Sequence, residues 1–329
     1  MPRYVIHVGP HKTGTTYLQH GFAALRSQFA TRGIDYPGEW GGIHGHHQLA
    51  ITLRTDASLQ TAFDRFNRSG AETILLSSES FAYSSDADVE ALHDLLAGEP
   101  AIVVFYCRRW SELIPSIWRE TLKHGSLLTL PEFTLQCLGD PVNSHVVNFS
   151  QVLARYARFF GPNALRIASY NRVIETSDDL LSHFCRHFLA WPDPPPSGLG
   201  RVNESLDMVD SEIIRALNAL EWTRAREDRQ RLYHRYIEAK PSLPIQSIVE
   251  SAMQFTVDAV RIDDTSPALA RLHATLSDHY RYAMVEPLPP GGLFAPRCSD
   301  VDYIRNDYLF ADGIMEKLRG IQKTLLQAG

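Results

Sequence analysis

Gly9-Pro10-His11-Lys12-Thr13-Gly14-Thr15-Thr16 gathers two glycines, one lysine and three threonine hydroxyls between an apolar run, Arg3 to Val8, and a stretch with apolar positions at helical spacing, Tyr17 to Arg32. In that setting the loop amides and a helix N-terminus converge on an anion, and a phosphate suits the place. The interval Gly9 to Gly14 fits the first part of a P-loop. Thr15, however, stands where a nucleoside triphosphatase places its lysine, and Lys12 lies inside the loop instead. Lysine otherwise occurs only at Lys123, Lys240, Lys317 and Lys323, which singles out Lys12 as a counter-charge. The bland alternative is a surface turn rich in Gly and Thr.

A second candidate anion contact stands at the end of a later strand. Val103-Val104-Phe105-Tyr106-Cys107 ends in Arg108, whose planar fork of donors suits phosphate, with Arg109 as the register alternative and an exposed Arg pair capping a helix as the plain one. Were a group on the bound anion to pass to a hydroxyl, a proton acceptor would be needed beside it. Glu79, in Ser77-Ser78-Glu79-Ser80-Phe81, ends another apolar run; a salt-bridge partner is its bland reading. His44, His46 and His47, in the His/Gly-rich connection Gly38 to His47, could instead line an acceptor pocket, take a metal adventitiously, or simply face solvent. Lys123 and His124 could reach acceptor hydroxyls or anionic groups, or merely close a charged helix C-terminus.

The elements that must hold these residues read as an α/β chain. Strands are expected at Arg3 to Val8, Thr73 to Ser77, Ala101 to Cys107 and Leu165 to Ser169. Helices are expected at Tyr17 to Arg32, Leu59 to Arg68, Asp86 to Ala97, Ser111 to His124, Phe149 to Phe160 and Ser177 to Leu189. The strands are continuous apolar runs, which implies a parallel sheet covered by helices on both faces, a P-loop-like three-layer αβα core. That core spans residues 1–200 and closes at the Pro-rich turn Trp191 to Ser197. Residues 201–329 are expected to be mainly helical, near Val209 to Ala239 and Pro267 to Tyr282, broken at Pro287 to Gly292, and to complete the acceptor site on the same domain.

The 329 residues can bury a sizeable core, and the net charge of −6 is mild, with no basic run interleaved with aromatics, so a nucleic-acid partner is not expected. Cys107, Cys137, Cys185 and Cys298 lack paired metal spacing and read as reduced, mostly buried thiols; no metal site is expected. There is no signal-peptide pattern and no run approaching the ~20 apolar residues of a membrane span, so the expectation is a cytoplasmic chain. Oligomeric state is not readable.

His7 to Thr16 resembles the 5′-phosphosulfate-binding loop of the sulfotransferases that use 3′-phosphoadenosine 5′-phosphosulfate, and Glu79 at its strand end resembles the bacterial, carbohydrate and heparan-sulfotransferase-like branch. The resemblance implies that Pro10, His11, Lys12, Thr13, Gly14, Thr15 and Thr16 form the donor loop, that Lys12 neutralises charge on the bridging oxygen, and that Thr15 and Thr16 bind the 5′-phosphate through hydroxyls and amides. It implies that Arg108 and Ser116, eight residues on, bind the 3′-phosphate, that Tyr170 lies near the adenine, and that Glu79 is the base. Asn171 and Arg172 replace the acidic pair that follows that tyrosine in the family. Arg201-Val202-Asn203-Glu204-Ser205 is similar to a segment of bacterial members near the cleft, while the family's Arg-Lys-Gly loop has no counterpart here. The implied reaction moves a sulfuryl group to a hydroxyl or amine of a glycan, glycolipid or secondary metabolite, acceptor contacts falling to His46, His47 and Lys123. It leaves 3′-phosphoadenosine 5′-phosphate and requires no metal. The rival readings are a P-loop kinase or nucleotide hydrolase, and a non-catalytic nucleotide-binding protein.

Overall fold

A computed structural model describes residues 2–38, 40, 44–194, 206–220, 226–243, 257–288 and 291–327. The chain forms two compact units, each assembled from three separate segments. Residues 1–109, 145–203 and 266–296 make the first; residues 110–144, 204–265 and 297–329 make the second. Part of the first 200 residues thus belongs to the second unit, and part of the remainder to the first.

The first unit is built on five parallel strands: β1 (Arg3–Val8), β2 (Ile34–Asp35), β3 (Thr73–Ser78), β4 (Ala101–Cys107) and β5 (Leu165–Ser169), in the order β2-β3-β1-β4-β5. The expected α/β class and parallel sheet are as observed, with β2 added at one edge. β1 and β3 are buried almost throughout, because helices cover both faces. On one face the helices Thr15–Ala24 and Leu180–Phe188 pack Leu18, Phe22, Leu181 and Phe184 against Val5, Val104 and Tyr106. On the other, Phe149 of the helix Phe149–Phe160 meets Phe105 edge-on at 5.6 Å, and Tyr156 donates to the carbonyl of Phe81 at 3.0 Å. The layers are αβα.

The helix expected from Tyr17 to Arg32 is two: Thr15–Ala24, then Arg26–Ala30 after a break at Leu25. The helix expected from Ser177 begins only at Leu180, since Ser177 is left-handed (φ 57°) and Asp179 caps the turn by accepting from the amide of Ser182 at 2.8 Å. Residues 195–205, which include part of the Pro-rich turn and all of Arg201 to Ser205, lie outside the described residues.

The second unit holds the helices Trp110–Lys123, Leu130–Gly139, Met208–Leu220 and Arg226–Ala239. Leu130–Gly139 starts on a capping box in which Thr129 and Glu132 satisfy each other's amides. The carboxyl-terminal part is less helical than expected, for β6 (Val257–Asp263) and β7 (Cys298–Ile304) form an antiparallel pair. Their outward residues are mostly charged, and β7 alternates between exposed and half-buried positions until Ile304. At the end of this pair Asp264, 1% exposed, accepts from the amide and hydroxyl of Ser111 at 2.9 and 2.7 Å and from the amide of Arg297 at 3.0 Å. It thereby joins all three segments of the unit at the start of the helix Trp110–Lys123.

All four cysteines are free thiols, Cys298 alone exposed. No helix among the described residues is long and apolar enough to cross a membrane.

Loss of the Asp264 carboxylate strands buried donors, so Asp264→Ala should cost roughly 3 kcal/mol of stability. Asp264→Asn should not rescue it, because one face of its amide presents N–H to a donor. Urea denaturation of both variants beside the parent chain measures this; matching midpoints would show that Asp264 holds nothing together.

Candidate functional site

Register alone assembles a site at the C-terminal edge of the sheet. Val8 pairs with Ser78 and Cys107 with Ser169, so Gly9 and Glu79 leave one pair of strand ends side by side, and Arg108 and Tyr170 leave another. β1 lies between β3 and β4, where the chain order reverses, and such switch points open the crevice in which α/β sheets receive ligands.

The loop after β1 is sharply wound. Lys12 and Gly14 both sit in the left-handed region, at φ 67° and 79°. A lysine there costs about 1–2 kcal/mol and persists only where its surroundings enforce it. Arg108 does part of that, donating from Nη1 to the carbonyl of Lys12 at 2.7 Å with its guanidinium over the Tyr170 ring at 5.2 Å. Gly14 is required twice over: besides its φ, a Cβ there would lie 2.3 Å from Leu180 and 3.2 Å from Tyr170. Thr13 and Thr15 are buried, and both hydroxyls donate to the carbonyl of Pro10, at 2.8 and 3.3 Å. They fold the loop. The buried hydroxyls of Thr13 and Thr15 thus shape the loop, and the half-buried Thr16 lies in the first turn of the helix Thr15–Ala24.

On the β3 side, Glu79 opens a 3₁₀ turn, Glu79–Tyr83, capped by Ser78, and its Oε2 lies 3.0 Å from Nδ1 of His11. The two side chains are 25% and 33% exposed, so the pair is reachable from solvent. Tyr83 lies 5.3 Å from the His11 ring and 5.8 Å from that of His145. The negative charge of Glu79, behind burial, helps push the Tyr83 hydroxyl up to about 12. His11, expected among the donor-loop residues, thus faces the candidate base. Sequence reasoning had no means of finding Tyr83 or His145 here, since neither stands in a motif.

The histidine segment is clipped to the end of β3. His46 accepts from the amide of Ser77 through Nδ1 at 3.0 Å, so Nε2 carries the hydrogen and donates to the carbonyl of Pro37 at 3.0 Å. Its own amide donates to the carbonyl of Ser77 at 2.8 Å. The ring is 1% exposed and both nitrogens are used, so His46 ties Pro37 to Ser77. His47 is half-buried, with Nδ1 3.1 Å from the hydroxyl of Ser78. His7, beneath the loop, sets Nδ1 2.9 Å from the hydroxyl of Ser77.

Arg108 and Arg109 part company. Arg109 is fully buried in an ion pair with Glu175, its backbone amide donating to the side-chain oxygen of Asn171 at 2.8 Å, while Arg108 reaches the loop. Ser116 and Lys123 belong to the second unit. Ser116 is half-buried in the helix Trp110–Lys123, while Lys123 pairs with Glu120 at 3.1 Å and lies 5.5 Å over the Tyr233 ring.

No family model and no curated protein matches this chain. Among solved structures, a sulfotransferase from Alicyclobacillus acidocaldarius is similar over 71% of this chain and 96% of its own, with 14% sequence identity and a TM-score of 0.40.

Burial lowers His7 to about 3 and His46 to about 4, from an ordinary value of 6.5. Both are neutral in the folded chain at pH 7. Below pH 6.5 the unfolded chain binds protons that the folded one refuses, so stability that is full above that point falls by ~1.4 kcal/mol per pH unit for each histidine, until the folded values are reached. Urea midpoints from pH 7.5 to 5 should show this decline, shallower in His46→Gln; equal slopes would remove His46 as a source.

Proposed function

We propose that the chain is a sulfotransferase that moves a sulfuryl group from 3′-phosphoadenosine 5′-phosphosulfate to a hydroxyl or amine of a glycan, glycolipid or secondary metabolite. The observation that carries this is the meeting, at one sheet edge, of an anion-binding loop containing Lys12, a guanidinium fastened to that loop, and a carboxylate–imidazole pair. The set combines charge for a leaving phosphate with a proton acceptor beside it, which is what in-line transfer from a phosphosulfate requires.

In this reading the loop amides, with Thr15 and Thr16, hold the 5′-phosphate, and Lys12 meets the negative charge that grows on the bridging oxygen as its bond to sulfur breaks. Glu79 takes the proton of the acceptor as the new bond to sulfur forms, and His11, bonded to the same carboxylate, keeps it oriented. Arg108 serves the 3′-phosphate while holding the loop, Tyr170 offers a ring face near the adenine, and Ser116 enters on its spacing from Arg108 alone. His47 and Lys123 remain candidate acceptor contacts. The transfer itself uses charges the chain already carries and asks for no metal.

Calorimetric titration with 3′-phosphoadenosine 5′-phosphate in EDTA, set against ATP with magnesium, tests the donor. Metal-free binding that weakens by about tenfold or more in Arg108→Ala is expected, a bidentate charged contact being worth at least that. Magnesium-dependent ATP binding in its place would make the chain a P-loop kinase or hydrolase. Once an acceptor is in hand, Lys12→Ala and Glu79→Gln should each lower kcat by about 10²–10³, the scale set by removing one transition-state partner. Near-normal turnover in Lys12→Ala would sink the mechanism.

A further inference from the structure

We propose that His183, His187 and Glu286 form a binding site for a divalent transition-metal ion, zinc by its donor set, that ties the helix Leu180–Phe188 to the strand-like segment beside β5. The two histidines stand four residues apart on one face of that helix, their rings 4.4 Å apart and 35° from parallel. Glu286 arrives from far along the chain. Met284 bridges to Ile167 of β5, and the amide of Val285 donates to the carbonyl of Ile167 at 3.0 Å, which fixes the backbone just ahead of the carboxylate. One ligand atom from each of the three residues lies within 4.8 Å of the others, a spacing that one ion can span.

His183 is the independent pointer. It is 2% exposed, and its Nδ1 lies 2.8 Å from the buried hydroxyl of Tyr106. That leaves Nε2, which is buried and makes no hydrogen bond among the described residues. An orphaned imidazole nitrogen in a core is costly unless something takes its lone pair or its hydrogen. A metal at Nε2 would do so, with Nδ1–H donating to the Tyr106 oxygen and so fixing the ring, a place more often taken by a carboxylate, carbonyl or water. His187 is exposed and Glu286 half-buried, so the site opens to solvent on one side, where water completes a tetrahedron. Arg172 reaches Glu286 at 3.4 Å but also donates to the carbonyl of Pro287 at 2.8 Å, so it stays anchored if the carboxylate turns to an ion. Two imidazoles and one carboxylate favour zinc over magnesium or calcium, which take oxygen sets.

The ion's role here is to fasten. The helix Leu180–Phe188 carries Leu180, which packs against Gly14, so a clamp at its far end stabilises the floor of the loop without touching the reacting atoms.

The test uses the full chain stripped with EDTA and titrated with Zn²⁺ against a chromophoric chelator, then with Co²⁺ read by its visible bands. One tight site per chain with four-coordinate Co²⁺ bands is expected, together with a rise in Tm on adding Zn²⁺. His187→Ala and Glu286→Gln, both on accessible side chains, should each weaken Zn²⁺ by about tenfold or more and abolish the rise in Tm, while leaving the metal-free Tm unchanged. His44→Ala should leave the titration as it is. Binding weaker than about 0.1 mM, or parent-like affinity in both site variants, would mean scattered surface histidines and overturn the site.

Discussion

The hydrogen bond from Arg108 to the carbonyl of Lys12 is the constraint on which the candidate site depends. It joins the end of β4 to a loop that leaves β1, and it holds a lysine in a conformation that L-residues avoid. The Thr13 and Thr15 hydroxyls tighten the same turn from inside, and Gly14 lets Leu180 and Tyr170 close beneath it. A loop fixed this way keeps little conformational freedom, so in the proposed reading little order would be left to impose on binding. The strain is local, and the sheet supplies the rigid frame that absorbs it.

The sheet in turn explains why so few residues do so much. Parallel pairing delivers every strand end to one edge, and the register of β1 with β3 and of β4 with β5 places Gly9 beside Glu79 and Arg108 beside Tyr170. His46 adds a second fastening there, occupying the amide and carbonyl of Ser77 next to the residue that precedes Glu79. The acidic side of the site and the basic loop are thus set by backbone geometry before any side chain adjusts.

Much of this was legible in the chain. Apolar runs marked β1, β3, β4 and β5 because strands buried on both faces cannot alternate. β2 escaped notice because two residues carry no periodicity, and β6 and β7 because Asp258, Arg261, Asp300 and Asp302 give them a charged surface that reads as loop or helix face. At the site, the place of the loop after β1 and of Arg108 at the end of β4 followed from the apolar runs before them. The inward turn of Thr13 and Thr15, the burial of His46 and the pairing of His11 with Glu79 did not, since each depends on which way a side chain faces across contacts between distant segments. The same limit hid His183, whose partner Tyr106 and neighbour Glu286 are distant in sequence.

The alternation of six segments between two compact units bears on how the chain is made. The first unit needs residues up to Pro296, and the second cannot finish until Arg297–Gly329 has emerged from the ribosome. Translation therefore exposes β5 and the helix Phe149–Phe160 long before Ser266–Pro296 is available to pack with them, and pairing over such separations is slow. Because the segments of the two units alternate along the chain, no single cut releases either unit whole, which makes the chain a poor substrate for dissection by truncation.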